Sequence, residues 1–238
     1  MWRSGEPGAA ARERAVVAEV AALLPPLVRL EFEGRYAAML SHEPKNYALL
    51  EYGGKLILRG VAFRSSRAEP YGEAFLRRVI ARLLVGDVPG VQAAYLETVE
   101  ALRRRALPTR DVTALVRLTK LPNEYLATRA TRREAPYEAM LTCGRDRWDR
   151  GERVRIYRGT GGRSLVFEEA EGATDPRDYD SGHYIRLLGN TFAARLARAF
   201  TPEDFATLFD NPEQPSLFAP TLDTIHPILT PMAEPPIE

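Results

Sequence analysis

Apolar side chains recur along the chain with the spacing that is typical of helices. Residues 11–24 place five large aliphatic side chains on one helical face, and Pro25-Pro26 end that helix. From residue 71 to residue 84, seven apolar side chains form a second stripe that stops at Gly86. A third stripe covers residues 89–104. The pattern therefore predicts three amphipathic helices in the first half of the chain.

The second half predicts shorter elements. Residues 134–143 have the pattern of a short helix, and residues 153–157 and 164–167 that of an antiparallel strand pair joined through glycines. A long helix is predicted from about residue 181 to residue 200. Thr201 is then expected to cap a short helix whose first residue is Pro202.

Strands are predicted between the first two helices. Two short strands with apolar alternation are predicted, one at Leu30 and Phe32 and the other at Tyr47 and Leu49, around a turn at Lys45-Asn46-Tyr47. A hairpin closing on Gly53-Gly54 follows. These elements predict an α+β fold with three parts. They are a small αβ unit (1–64), a mostly helical domain (65–210) and a flexible, proline-rich tail (211–238) that does not pack.

Composition limits the classes of protein to which the chain can belong. The chain has 238 residues, 45% of them hydrophobic and 27% charged, as in ordinary globular proteins. No apolar run approaches the ~20 residues that span a bilayer, and no signal peptide is visible. The single cysteine, Cys143, permits no internal disulfide, and we expect it to be buried or inert. We therefore expect a cytoplasmic protein without membrane partners.

The net charge of +1 conceals an asymmetry along the chain. All 33 Lys and Arg residues precede residue 201, whereas seven of the 32 Asp and Glu residues follow it. A basic body suits a phosphate backbone, and an acidic tail would be repelled by one. A solvated, arginine-rich surface is the alternative explanation.

Residues 30–60, LEFEGRYAAMLSHEPKNYALLEYGGKLILRG, resemble the family B DNA polymerases where the palm domain meets the thumb. The resemblance rests on the LEFEG segment, on a Lys-x-Tyr motif at Lys45 and Tyr47, and on a strand ending in Arg59-Gly60. Residues 148–157 and 177–200 are similar to later thumb elements, so the resemblance covers about residues 12–210. It implies a palm remnant over residues 1–64 and a thumb over residues 65–210.

The resemblance also implies a set of DNA-binding residues. In the family, the Lys-x-Tyr segment and the first thumb residues contact the primer–template duplex. The corresponding residues here are Lys45, Tyr47, Arg59, Gly60, Arg64 and Arg67. A lysine ammonium suits a phosphate or the minor-groove acceptors. The alternative is a surface lysine beside a half-buried tyrosine. The run Arg103-Arg104-Arg105 is expected to face water at a helix end, with duplex contact as the alternative.

No catalytic or metal-ligating residue is predicted. Family B polymerases use two metal ions held by carboxylates of SLYPS-type and DTDS-type motifs, and neither motif occurs here. The fingers-helix and exonuclease motifs are also missing. Residues 178–181, DYDS, mimic the second motif, but we expect them to cap the following helix. Glu31 and Glu33 flank the place of the family's metal site. We expect them to face outward, and the alternative is that one of them approaches that site.

A second short motif lies in the tail. Gln214, Leu217 and Phe218 resemble the peptide that binds the bacterial sliding clamp, whose pattern is Gln-x-x-Leu-Phe. In the alternative, the two apolar side chains fold back onto the thumb.

We therefore expect a chain that grips primer–template DNA for a family B DNA polymerase and is inactive alone. The resemblance implies that the catalytic carboxylates come from a partner chain with exonuclease, palm and fingers, or were lost by truncation. No cofactor is expected in this chain, although the complete polymerase would use Mg²⁺. The protein would be associated with the nucleoid. A stand-alone duplex-binding module and a structural or interaction protein are the alternatives.

Overall fold

The computed structural model of the protein describes residues 9–169, 172–209 and 222–229. Within these residues the α-helices are α1 (Ala9–Ala22), α2 (Pro70–Leu84), α3 (Val88–Arg103), α4 (Pro122–Thr128), α5 (Ala135–Thr142), α6 (Ser181–Leu187) and α7 (Pro202–Phe209). The strands are β1 (Ala38–Glu43), β2 (Asn46–Leu50), β3 (Leu56–Arg59), β4 (Ala114–Arg117), β5 (Arg153–Arg158) and β6 (Ser164–Phe167).

Helices α2 and α3 form the centre of the fold. Pro70 occupies the first turn of α2, where its missing N–H costs no hydrogen bond. Gly86, at a φ of 77°, lets the chain turn after α2, and the Asp87 side chain caps α3 by accepting from the Gly90 N–H at 2.9 Å. The apolar stripes of both helices are buried, as the sequence predicts, except for Leu96 of α3, which is 39% exposed.

The six strands form two antiparallel sheets of three. In the first sheet the order is β1-β2-β3, and in the second it is β4-β5-β6. Alternate residues of each strand point to opposite faces, so each sheet has two chemically different sides. Ala48, Leu50 and Leu58 of the first sheet join the main core with α2 and α3. Val154 of the second sheet instead joins a smaller core built around Tyr125, Tyr137, Met140 and Trp148.

The predicted strand around Leu30 and Phe32 is wrong. The segment from residue 28 to residue 36 is irregular, and the first strand begins only at Ala38. Leu30 and Phe32 are 41% and 56% exposed. An alternating segment forms a strand only when a neighbouring strand pairs with it. Here β2 pairs with residues 38–43 instead. Strand β4 and helix α4 lie in a stretch for which no element was predicted.

The predicted long helix over residues 181–200 forms, but with three hydrogen-bonding patterns. Helix α6 continues into a π-helical turn (Leu188–Phe192) and then a 3-10 helix (Ala193–Ala199). Phe192 packs against Gly72 of α2, where a Cβ atom would overlap its ring. The close approach therefore requires glycine at residue 72.

The expectation that residues 211–238 do not pack is wrong for residues 222–229. Ile225 is 2% exposed within the main core, and the Ile228 N–H donates to the Ala199 carbonyl at 2.7 Å. Leu222, Ile225 and Leu229 follow a spacing of three and four residues, which is the pattern of a short apolar face. The proposed clamp-binding residues Gln214, Leu217 and Phe218 lie outside the described residues.

Two smaller points complete the fold. Cys143 is exposed at the end of α5, not buried, and its thiol donates to the Met140 carbonyl at 3.1 Å. Among the helices of the described segments, none is both long and apolar enough to cross a bilayer.

Candidate nucleic-acid interface

The turn between β1 and β2 presents Lys45 to solvent in an unusual conformation. Lys45 has a φ of 66°, and its side chain is exposed. Pro44 precedes it. In a type II turn the residue after such a proline has a positive φ, and this position favours glycine or asparagine. A lysine in this position is strained by roughly 1–2 kcal/mol. Such strain persists only where neighbouring contacts fix the backbone.

Asn46 provides those contacts. Its amide Nδ2 donates to the Pro44 carbonyl at 3.2 Å, and its Oδ1 accepts from the Ala62 N–H at 2.9 Å. One side chain therefore joins the β1–β2 turn to the segment after β3. Gly60 lies between these two parts at a φ of 86°, and a Cβ atom there would overlap both Asn46 Oδ1 and the Lys45 carbonyl oxygen. Gly60, predicted as a DNA-binding residue, thus has a packing role.

Tyr47 and Arg59 are brought side by side. They are directly opposite each other on β2 and β3, so their side chains share one face of the first sheet. Arg59 is exposed and Tyr47 is half-buried. Their face is opposite to the one that carries Ala48 and Leu58 into the core.

The turn after β3 holds Arg64 in place. The Gly60 carbonyl accepts from the N–H groups of Phe63 and Arg64 at 3.3 and 3.1 Å. Phe63 is 1% exposed and anchors the turn in the core. The Arg195 guanidinium donates to the Ala62 carbonyl and lies 5.0 Å from the centre of the Phe192 ring.

Burial explains the electrostatics beneath this turn. It lowers the pKa of the Arg195 guanidinium, and the charge of nearby Glu69 opposes that effect. Burial likewise raises the pKa of the Glu69 carboxyl. Arg195 thus supports the turn from inside, whereas the Arg64 side chain remains exposed.

Arg67 lies at the edge of the second sheet. Its carbonyl accepts from the Leu115 N–H at 2.9 Å, at the start of β4. The predicted basic residues therefore run from the first sheet to the border of the second.

We define the hairpin face as Lys45, Tyr47, Arg59 and Arg64. Within the described part of the chain, none of its three cations forms an ion pair, and neither does Arg67. Exposed cations on an anchored backbone, beside a tyrosine ring, can bind phosphate groups and pack against a sugar.

The remaining predicted residues lie elsewhere. Asp180 caps α6 by accepting from the His183 N–H at 3.0 Å, which confirms the capping interpretation, while Asp178 accepts from the Tyr157 hydroxyl at 2.8 Å. Arg104 is paired with Glu100, and Arg105 donates to the Tyr179 carbonyl at 3.0 Å, so the arginine run is partly used within the fold.

Glu31 and Glu33 are both exposed, in the irregular segment before β1. Among residues 9–169, 172–209 and 222–229, no group of three or more His, Cys, Asp or Glu side chains is arranged to hold a metal ion.

Sequence reasoning missed several residues that shape this surface. Asn46 and Arg195 act through contacts 16 and 133 residues away along the chain, which no local pattern reveals. Arg153 and Arg155 alternate within β5, and that alternation could have indicated a basic sheet face.

Comparisons with known proteins give a consistent result. No protein-family model matches the chain. A DNA polymerase of Methanocaldococcus jannaschii is 29% identical over 106 residues, covering 44% of this chain and 6% of that protein. A DNA polymerase of Thermococcus sp. (strain GE8) is 27% identical over 191 residues, covering 75% of this chain and 11% of that protein. The chain thus spans a small part of the curated relatives it matches.

The fold also has a counterpart among solved structures. The family B DNA polymerase from Pyrobaculum calidifontis matches 80% of this chain with a TM-score of 0.56 and 18% identity, and the match covers 24% of that polymerase. The sequence relatives and the shared fold together show that this chain carries a family B DNA polymerase-like region.

Proposed function

We propose that this chain is the palm and thumb portion of a family B DNA polymerase and that it grips primer–template duplex. The observation that carries the proposal is the hairpin face, where exposed cations without ion pairs among the described residues lie on a rigidly held backbone. An ordinary surface lysine would not need a strained φ fixed by a side-chain clamp.

The chemistry of the hairpin face fits a duplex without sequence preference. Lys45 and Arg64 provide charges for the phosphate backbone, and phosphate contacts orient a protein without specifying bases. Tyr47 offers a ring and a hydroxyl beside Arg59, and such a pair can pack against a sugar and bind a neighbouring phosphate. Binding of this kind depends strongly on salt because it releases counterions from DNA.

We also propose that the metal-holding carboxylates of the complete enzyme lie outside the residues of this sequence. The structural match covers only 24% of the solved polymerase, so most of such an enzyme has no counterpart among these residues. Any Mg²⁺ would be held by those carboxylates, and the residues described here would supply the grip on the duplex.

An exposed apolar surface supports this second part of the proposal. On and after α1, Val20, Leu23, Leu27 and Phe32 are 41%, 82%, 97% and 56% exposed. Arg35 fixes the following segment to α1 through Nε and Nη2 hydrogen bonds of 2.8 and 2.7 Å to the Glu13 carboxylate. Large apolar side chains that are exposed to this extent are typical of an interaction site. We propose that other palm elements of the complete enzyme cover them.

A pair of lysine substitutions tests the DNA grip. Lys45 and Lys55 are both exposed and lie at opposite ends of the first sheet. We expect Lys45→Gln to weaken binding of a labelled primer–template duplex. It should also lower by about 1 the slope of the logarithm of the binding constant against the logarithm of the salt concentration, whereas Lys55→Gln leaves the affinity and the slope unchanged. Equal effects of the two substitutions would contradict the proposal.

A glycine at residue 45 separates binding from stability. Lys45→Gly removes the charge but relieves the positive-φ strain, so we expect weaker DNA binding together with equal or higher thermal stability.

Equal affinity for blunt duplex and for a primer terminus would instead favour a stand-alone duplex-binding module.

A further inference from the structure

A cavity between α2 and α3 takes no part in the interface described above. It opens between residues 70–78 of α2 and residues 97–101 of α3, away from the turn at Gly86 that joins the two helices. Its volume is about 400 Å³, within the range of about 300–1,000 Å³ that small-molecule sites occupy. The cavity therefore has the size of a ligand site.

Small side chains create this space. Ala74 of α2 and Ala101 of α3 both line the cavity, and neither side chain is long enough to fill the gap between the helices. The rings of Tyr71 and Phe75, which are 4% and 1% exposed, form its floor. The Tyr71 hydroxyl donates to the Tyr184 carbonyl at 2.9 Å, so its polar atom is already satisfied inside the fold. The walls thus offer apolar surface to a ligand.

Arg78 closes one end of the cavity. Its Nη2 donates to the Ala94 carbonyl at 2.8 Å and to Thr98 Oγ1 at 2.7 Å, which links α2 to α3. Its Nη1 donates to the Glu97 carboxylate at 3.0 Å. The charges of Arg78 and Glu97 therefore compensate each other, and this end of the cavity is fixed by hydrogen bonds.

Asp111 lines the other end and lacks a counter-ion. It lies in the 3-10 turn after α3, beside the start of α2, whereas Arg78 is about two helical turns further along α2. Asp111 is half-buried, and among the residues that the structure describes no cation pairs with it. The adjacent Arg110 is paired with Glu169 instead, at 3.3 Å. A partly buried carboxylate without a partner is unfavourable, and a bound cation would remove that cost.

We propose that this cavity binds a small amphipathic amine, with its apolar body between α2 and α3 and its ammonium group on the Asp111 carboxylate. The ligand is oriented by charge, because an ammonium is attracted at the Asp111 end and meets the Arg78 guanidinium at the other. A few polar groups in an otherwise apolar cavity provide specificity in this way. The inference goes beyond duplex binding and does not depend on it.

Three probes of the same shape test the preference for a cation. Tryptamine, tryptophol and indole-3-acetate share an indole ring with a short side chain, and they are a cation, a neutral alcohol and an anion. Isothermal titration calorimetry of the whole chain without DNA measures their affinities. We expect tryptamine to bind most tightly and indole-3-acetate most weakly. In ¹⁵N-labelled protein, the amide signals of Thr98, Ala101 and Asp111 should shift with tryptamine.

Two pairs of variants locate the site. Asp111→Asn keeps the shape and removes the charge, so it should weaken tryptamine binding about tenfold and leave tryptophol binding unchanged. Asp146→Asn removes an exposed carboxylate between α5 and β5 and should change neither. Ala74→Leu, at an exposed helix position, fills the cavity and should abolish binding of both probes. Ala93→Leu, on the exposed side of α3 outside the cavity, should not.

Each outcome supports or overturns the inference. It is overturned if tryptamine does not bind at millimolar concentration, if tryptamine and tryptophol bind equally well, or if Asp111→Asn and Asp146→Asn behave alike. Equal binding by the two leucine variants would place the ligand elsewhere and also overturn it. If Ala74→Leu lowers the melting temperature strongly, the comparison of the two probes with Asp111→Asn still decides. A chain that binds no duplex but prefers tryptamine would refute the proposed function alone.

Discussion

Replacing Gly60 by alanine tests how the hairpin face is held. The added Cβ atom would overlap Asn46 Oδ1 and the Lys45 carbonyl oxygen, and Gly60 has a φ of 86°. The backbone strain alone costs about 1–2 kcal/mol for a residue with a side chain. Displacing Asn46 also breaks its hydrogen bond to the Ala62 N–H, which is worth about 0.5–1.5 kcal/mol. We therefore expect Gly60→Ala to lower the free energy of unfolding by about 2–3 kcal/mol.

Gly54→Ala is the matched control. Gly54 has a similar φ of 80° in the turn between β2 and β3, but no atom lies within 4 Å of an added Cβ. This variant should lose only the strain contribution of about 1–2 kcal/mol. The difference between the two variants isolates the contact that joins the β1–β2 turn to the segment after β3.

Urea unfolding followed by circular dichroism measures the stabilities, and fluorescence anisotropy measures duplex binding. We expect Gly60→Ala to weaken duplex binding about tenfold, because the Lys45 turn is no longer fixed against the Arg64 turn. Gly54→Ala should bind like the parent. If the two variants lose the same stability and bind equally well, the clamp formed by Asn46 does not organise the hairpin face.

Three further predictions concern other parts of the chain. Hydrogen bonds from Arg129 and Tyr125 lower the pKa of the Glu138 carboxyl from 4.5 to about 2, so their stabilisation is present above pH 4.5 and is lost as the pH falls towards 2. Glu138→Gln should therefore lower the melting temperature at neutral pH, and the difference from the parent should vanish over that range. A peptide of residues 210–222 should bind a bacterial sliding clamp, and its Leu217→Ala, Phe218→Ala form should not; binding by both forms would refute the motif. The purified chain should extend no primer with any divalent metal, and template-dependent extension would show that its carboxylates were misjudged.

The helical part of the fold could be predicted because its signals are local. The stripes of α2 and α3 and the turn at Gly86 follow directly from the spacing of apolar residues and from glycine. The alternation at Leu30 and Phe32 misled because a strand also needs a partner, and β2 pairs with residues 38–43. Residues 222–229 were assigned to the tail from their proline content, although Ile225 fills a gap in the core that only the folded helices create.

The candidate interface was predictable in part. The Lys-x-Tyr motif predicted Lys45 and Tyr47, and the strand that ends in Arg-Gly predicted Arg59. The pairing of β2 with β3 places Arg59 beside Tyr47. The clamp by Asn46 and the support by Arg195 could not be predicted, because they depend on contacts between distant segments. The positive φ of Lys45 was not predictable either, since the residue itself disfavours it.

Hydrogen–deuterium exchange of the whole chain, with and without primer–template duplex, tests the central claim most directly. If the chain grips the duplex through the hairpin face, exchange slows in residues 43–47 and 59–67, and the effect disappears at high salt. The turn at residues 51–55, at the far end of the same sheet, should exchange equally in both samples. Binding of the duplex without slower exchange in residues 43–47 and 59–67 would contradict the account.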